Sequence, residues 1–494
     1  MSNYAPFSTA LEDMTGKEEP LRENGAPQPR RGCRDAIWGP LFYGHVAVIA
    51  YLAAANVPAI AADVAQQAEN GDGGNRFLRR FLEEDAAAAD GNQEVEEFAT
   101  DPSILLSLIG ISAIAGLIVS TLALSFMMTF AETLVKVALW FNIILFGAMA
   151  MLSFFVGAYG SGMMMLFMSL FAAYYAYRVW SRIPFAAANL KTAVTAVRAN
   201  LGLAFYAYWS LVLTFVWMIL WSVSMVSTTY VLAGCDVEGV CEKDVNSGIM
   251  FLFFLSFYWT INVITNVVHV TTAGTVGTWW FRPAEAGGCC SAAVRDSYFR
   301  SLTTSFGSIC LGSLIVALIQ AARQMIKNAR ERRDSILACC ADCLMGCIES
   351  LVEYFNKWAY VYVGIYGMSF MESGKQVMTL FRNRGWTSIV ADMMIDTVLF
   401  MVSLGVGVLL GLVAVIVGVA AGMAQDATLG VAFFLGFLVG YAMCQTLFSI
   451  VSSAVNTVIV CYAEAPSEFE MNHPQLSANM RDSWRQAWPE EFGY

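Results

Sequence analysis

The sequence predicts an all-α polytopic membrane protein of about ten transmembrane helices with both termini in the cytosol. Two bulk observations and one pattern carry this. Of 494 residues, 57% are hydrophobic and only 14% charged, against roughly 25% charged in an ordinary soluble chain. The mean hydropathy is +0.58, so there is too little polar surface to coat a water-soluble globule of this size. The apolar residues also gather into runs near or above the roughly 20 residues a helix needs to cross the hydrocarbon core.

Residues 1–35 are polar and punctuated by proline, which reads as a disordered cytosolic tail without a cleaved signal peptide. The first span is expected at 36–62, followed by an acidic outer loop at 63–103. Within that loop Phe77 to Leu82 reads either as a short surface helix or as unstructured chain. Further spans are expected at 104–130, 137–157, 160–178, 203–226, 249–272, 303–322, 351–371, 389–422 and 428–462, with a cytosolic tail at 466–494. Only Tyr159 to Gly162 separates the third and fourth spans, a tight hairpin with two glycines for the turn.

Orientation follows from Lys and Arg in short loops. Arg178, Arg182, Lys191 and Arg198 follow the fourth span without an acid among residues 179–202, which places that loop inside. Asp236, Glu238, Glu242 and Asp244 outnumber Lys243 after the fifth, which places that loop outside, and Arg30, Arg31 and Arg34 put the amino terminus inside. One stretch resists: ten crossings leave Arg323, Lys327, Arg330, Arg332 and Arg333 on the outer side. Either the seventh helix runs past the bilayer, or 303–322 and 351–371 form a re-entrant pair.

Cys235 and Cys241 lie in a short loop expected outside, where a disulfide or two free thiols are both compatible with the spacing. Cys339, Cys340, Cys343 and Cys347 form a second cluster, read either as small apolar helix-surface residues or as an acylation site, with Cys289-Cys290 a further acylation pair. The lone Cys310, Cys444 and Cys461 read as packing residues.

Polar groups in lipid are costly, so each one inside a span is a candidate site. Asn262, Asn266 and His269 recur at helical spacing on the sixth span, beside Tyr258 and Trp259. The fifth span brings Trp209, and Glu132 with Lys136 lies between the second and third. Asp392 and Asp396 open the ninth. Aromatic faces beside a few polar groups suit a quaternary ammonium, with about 0.5–2 kcal/mol per face. Trp209, Tyr258, Trp259, Asn262, Asn266 and Glu132 are therefore the candidate substrate residues, and His269 with Glu132 the candidates for proton coupling. The alternative is that interfacial aromatics and helix-linking amides have only a packing role.

Other classes find no footing. No basic tract with interleaved aromatics supports nucleic-acid binding, no Walker A sequence supports nucleotide hydrolysis, and no HExxH or GxSxG supports catalysis. No enzyme activity, cofactor or metal is expected, and oligomeric state is not readable.

Five segments carry a family resemblance: TAGTVGTWWF from Thr272, SFGSICLGSLIVALIQAARQM from Ser305, CCADCLMGCIE from Cys339, FNKWAYVYVGIYGMSFMESGKQVMTLFRNR from Phe355, and the Asp392 and Asp396 helix. In this order they resemble the choline transporter-like family of solute carriers, over about residues 100–465. The resemblance implies a ten-span plasma-membrane carrier with both termini cytosolic. It also implies movement of choline or a related small organic cation, since animal members are associated with sodium-independent choline transport and some with ethanolamine. The short first outer loop and the absence of an Asn-x-Ser/Thr sequon in the expected outer loops are more similar to the fungal and protist branch. On this reading 104–465 is the transporter domain, its partners a choline-like solute and membrane lipid. The alternative is a non-transporting membrane scaffold with an acylated cysteine-rich cytosolic surface.

Overall fold

The structure, a computed structural model, describes residues 22–23, 26–27, 32–69, 102–234, 245–288, 291–332, 336–384, 387–420 and 426–487. The Phe77 to Leu82 segment and both Cys235 and Cys241 lie outside the described residues, as do Cys289 and Cys290. Among the described residues the one extended feature is a two-residue antiparallel ladder, Arg22–Glu23 with Ala26–Pro27. The regular elements that remain are helices: α1 Trp38–Glu69, α2 Pro102–Phe155, α3 Tyr159–Val179, α4 Ile183–Ala199, α5 Gly202–Ala233, α6 Ser247–Phe281, α7 Ala292–Leu302, α8 Phe306–Arg332, α9 Ile336–Tyr366, α10 Phe370–Arg384, α11 Thr387–Ala420, α12 Asp426–Glu464, α13 Pro466–Asn472 and α14 Pro474–Ala487, with two short 3-10 turns between them.

Seven of these, α1, α2, α5, α6, α8, α11 and α12, are long and apolar enough to cross a bilayer. The expected second and third spans are one 54-residue helix, α2, whose Phe130 leaves helical geometry at φ −116° and ψ 23°. Each side of that break is roughly 40 Å long at 1.5 Å per residue, enough for a crossing. The remaining expected spans fall on α3 and α9. These miss the apolarity of the seven because α3 is tyrosine-rich and α9 carries Asp342, Glu349, Glu353 and Lys357. Large apolar side chains cover the outside of the bundle: Leu122 is 63% exposed, Phe167 65% and Phe205 67%. In water that surface would be untenable; in lipid it is the expected one.

The hairpin between α2 and α3 differs from expectation. Its turn is Val156 to Ala158, with Gly157 at φ +82°, where a side chain would strain the backbone. Gly162 is instead inside α3, and a Cβ there would sit 2.6 Å from the Phe154 ring.

Helix ends follow local chemistry. The Asn246 carboxamide accepts from the Gly248 N–H at 2.8 Å to open α6, and Gly234 closes α5 in the left-handed conformation with its N–H on the Tyr230 carbonyl. Proline in the first turn starts α4, α13 and α14.

α6 is the hub: α5, α7, α8, α9 and α12 pack on it, while α11 and α12 form a tight pair. At its crossing with α9, Gly274 faces Gly364, and a Cβ on Gly364 would lie 2.7 Å from both the Val270 carbonyl and the Ala273 Cβ. Small residues here let two backbones approach, the usual basis of helix association in lipid.

Both described ends of the chain lie at one end of the bundle. The Arg34 N–H donates to the Thr304 carbonyl at 3.1 Å, and Asp35 Oδ2 accepts from Ser308 Oγ at 2.7 Å and from the Phe370 N–H at 2.9 Å. The expected carboxyl-terminal tail is folded through Ala487: Trp280 stacks on Phe469 at 3.9 Å, its Nε1 donates to the Ala465 carbonyl, and Phe185 meets Trp484 edge-on. We call this the terminal end. α4, expected as an inside loop, packs there as an alanine-rich helix with Ala186, Ala193 and Ala196 fully buried.

α8 leaves the terminal end at Phe306 and α9 returns to it at Tyr366, each continuous and about 40 to 47 Å long. Cys340, Cys343 and Cys347 are exposed near the start of α9, so they belong to the far end of the bundle; the Cys339 side chain lies outside the described residues. The basic stretch that resisted the charge rule is partly neutralised there. Arg323 pairs with Asp342 at 2.8 Å and with Glu349 at 2.7 Å.

Candidate functional site

The polar stripe of α6 meets α8, α9 and α12 in a ladder of hydrogen bonds. Nearest the far end, the Tyr258 hydroxyl donates to Gln324 Oε1 at 3.4 Å and Asn262 Nδ2 donates to Gln320 Oε1 at 2.8 Å; Gln320 passes on to Glu353 at 2.8 Å. Next, Asn266 Nδ2 donates to Ser313 Oγ at 3.0 Å, and Ser313 lies 3.3 Å from the Tyr360 hydroxyl. Last, His269 bridges two helices. Its Nε2 donates to the Lys357 carbonyl on α9 at 2.8 Å, and since a carbonyl only accepts, Nε2 carries the proton. Its Nδ1 then pairs with Ser453 Oγ on α12 at 2.6 Å.

Beside this last rung α6, α9, α11 and α12 line a half-open cavity of about 330 Å³, within the range of small-molecule sites. Asn266, His269, Lys357, Asp396, Ser452 and Asn456 line it, with Gln445, Ser449 and Phe448. At Asp396, Lys357 Nζ lies 3.1 Å from Oδ2, and Ser452 Oγ donates to Oδ1 at 2.9 Å. The Asp396 side chain is still 44% exposed, toward this cavity. Lys357 Nζ also stands 4.7 Å above the Tyr354 ring. Asn456 is the opposite case. It is only 1% exposed, yet neither Oδ1 nor Nδ2 has a hydrogen-bond partner among the described residues. A buried amide left unpaired costs roughly 1–3 kcal/mol, and a turn of its side chain toward a group bound in the cavity would recover that cost.

The residues singled out from sequence separate into two sets. Asn266 and His269 reach the cavity; Tyr258 and Asn262 stand on the same ladder toward the far end. Trp259 points to another face of α6: its Nε1 donates to the Cys310 carbonyl at 2.9 Å, and its ring stacks on His45 at 4.5 Å and meets Phe42 edge-on. Trp209 is 46% exposed on the outer face of α5. Glu132 forms an exposed i, i+4 pair with Lys136 at 2.7 Å, just past the Phe130 break and away from His269. The six candidate substrate residues are thus not brought together at one place, because helical spacing fixes a shared face but not which neighbour covers it.

The cavity's own residues had a signal in the sequence. Ser449, Ser452, Ser453 and Asn456 recur at i, i+3, i+4 and i+7, a polar stripe on α12 matching that of α6. His45, whose Nε2 pairs with Thr260 Oγ1 at 3.1 Å, was also legible as an ionisable group in the first span.

A family profile described as plasma-membrane choline transporter matches residues 163–467, which contain the α6 ladder and the cavity. The chain is 30% identical over 356 residues to a CTL-like protein of Dictyostelium discoideum, covering 70% of this chain and 60% of that one. It is 28% identical over 382 residues to Protein PNS1 of Debaryomyces hansenii, covering 74% of each. Over a shorter stretch of 263 residues it is 34% identical to Protein PNS1 of Yarrowia lipolytica, 49% of this chain and 45% of that one. The chain therefore spans between about half and three quarters of these relatives. With a profile match over more than half its length, a multi-pass bundle of apolar helices and motifs in the family's order, this chain belongs to the choline transporter-like family of membrane transporters.

Proposed function

We propose that the protein carries choline, or a related small organic cation bearing a hydroxyl or amine, across the plasma membrane by alternating access, with the α6/α9/α11/α12 cavity as its substrate site. One observation carries this reading: a single cavity presents a membrane-embedded carboxylate, Asp396, and a buried amide with both ends free, Asn456. A cationic head answers the first and a hydrogen-bonding tail the second. Phe448 adds an apolar wall for the methyl groups of such a head.

Ten crossings with cytosolic termini fit the bundle, counting α2 as two and including α3 and α9. Arg182, Lys191 and Arg198 fall at the terminal end with both described chain ends, which supports its assignment to the cytosol. Under that orientation Cys340, Cys343 and Cys347 face away from the cytosol, which weighs against an acylated cytosolic scaffold. A 330 Å³ cavity reaching the polar stripe weighs the same way, since a scaffold needs no such space.

Radiolabelled choline uptake and efflux on purified protein in liposomes tests the proposal. Flux above that of empty liposomes is expected. Its absence in both directions, beside a working control carrier, overturns it.

A further inference from the structure

The cavity holds a cation of its own. Lys357 Nζ is 3.1 Å from Asp396 Oδ2, at the position a substrate ammonium would take. A carboxylate at this depth is strongly disfavoured without a counter-charge, and removing one partner of such a pair leaves the other uncompensated. An empty carrier must nevertheless return across the membrane between cycles. Three features fit Lys357 for that task. Its main chain is pinned, because the His269 imidazole donates to its carbonyl at 2.8 Å, so its ammonium can move while the helix stays in place. Its ammonium already lies 4.7 Å from the centre of the Tyr354 ring, which can hold a displaced cation by its face. And Asp396 is held from its other oxygen by Ser452 at 2.9 Å, so the carboxylate stays in place when Oδ2 changes partners.

We infer that Lys357 is a tethered counter-cation: it occupies Asp396 in the empty carrier, yields that carboxylate to the substrate's ammonium on loading, and returns when the substrate leaves. The inference rests on the cavity being the substrate site. Lys357 and substrate then compete for one oxygen, and the lysine makes the empty carrier electrically fit to reorient. Removing it separates two transport modes that a structural role would not separate.

The experiment compares wild type, Lys357→Gln, Lys357→Arg and Asp396→Asn in liposomes with radiolabelled choline. It measures exchange, with choline on both sides, and net efflux into choline-free buffer. In exchange the carrier reorients only when loaded. Lys357→Gln is expected to lower net efflux about tenfold or more relative to exchange measured in the same variant, because an unpaired carboxylate stalls the empty return. Lys357→Arg is expected to restore net efflux, and Asp396→Asn to lose both modes. Equal loss of exchange and net efflux in a well-folded Lys357→Gln, or no loss of either, overturns the inference. A wild-type protein without flux in either mode is a failure of the functional reading itself and removes the inference with it; the exchange-to-net ratio of the variant tests the lysine alone.

Discussion

His269 Nε2 donates to the main-chain carbonyl of Lys357 at 2.8 Å, so the imidazole of α6 anchors the backbone of the very residue whose ammonium meets Asp396. The other ring nitrogen holds Ser453 of α12, which makes His269 a joint between three helices at the rim of the cavity. Both ring nitrogens are engaged in helix-to-helix hydrogen bonds, which supports a positioning role within the proposed site.

His269→Ala is expected to lower stability by about 1–3 kcal/mol, since the Lys357 carbonyl and Ser453 lose a buried partner. Thermal unfolding of the purified protein checks this. His269→Gln and Glu132→Gln are both expected to leave the pH dependence of flux as in wild type. A shifted pH profile in either would restore proton coupling through that residue. Glu132→Gln is expected to change stability by no more than about 0.5 kcal/mol, the scale of an exposed i, i+4 pair.

Asn456→Leu separates folding from binding. The amide has no hydrogen-bond partner among the described residues for the empty protein to lose, so an apolar replacement of similar volume is expected to leave thermal stability unchanged or slightly raised. Choline should then stabilise the variant much less than it stabilises wild type. Equal ligand-induced shifts in the two proteins would remove Asn456 from the site.

The crossing of α6 and α9 leaves no room for a methyl group. Gly364→Ala places a Cβ 2.7 Å from the Val270 carbonyl, so the helices must part, at a cost of about 1–3 kcal/mol. Unfolding in detergent is expected to show the loss, and an unchanged midpoint would mean that the crossing is looser than described.

His473 stacks on Trp279 at 3.9 Å and its Nε2 donates to the Trp279 carbonyl at 3.1 Å. Burial pushes its pKa below the ordinary histidine value, the hydrogen bond opposing in part. The docked form stays neutral while the undocked one takes up a proton, so the docking of α13 and α14 is fully stable above about pH 6.5 and weakens as pH falls below it. Hydrogen exchange across residues 466–487, corrected for intrinsic rates, is expected to quicken between about pH 7.5 and about pH 5.5 in wild type, but not in His473→Phe. Equal protection of the wild type at both values would contradict this.

The helices themselves were legible from apolar run length, as at α11, expected at 389–422 and found at Thr387–Ala420. The shorter helices at the terminal end were not: α4 read as a loop and α7 fell between expected spans, because buried alanines and scattered charge give no long apolar run. α9 was misplaced by 15 residues at its start for a related reason, since its charged first half pairs with Arg323 and not with water. The site was half legible. Asn266 and His269 announced themselves by their spacing on α6. Lys357 and Asp396 lie on different helices, and only packing brings their charges within 3.1 Å. Trp259 and Trp209 satisfy the composition of a cation cage, but packing stacks one on His45 and turns the other outward, and composition carries no signal of either.

The most direct test of the substrate site is an experimental density map of the protein with choline bound, beside one without it. Extra density inside the α6/α9/α11/α12 cavity, touching both Asp396 and Asn456 and with Lys357 Nζ moved off the carboxylate toward Tyr354, is the predicted result. Density elsewhere in the bundle, with the Lys357 and Asp396 pair intact and the cavity unchanged, would contradict it.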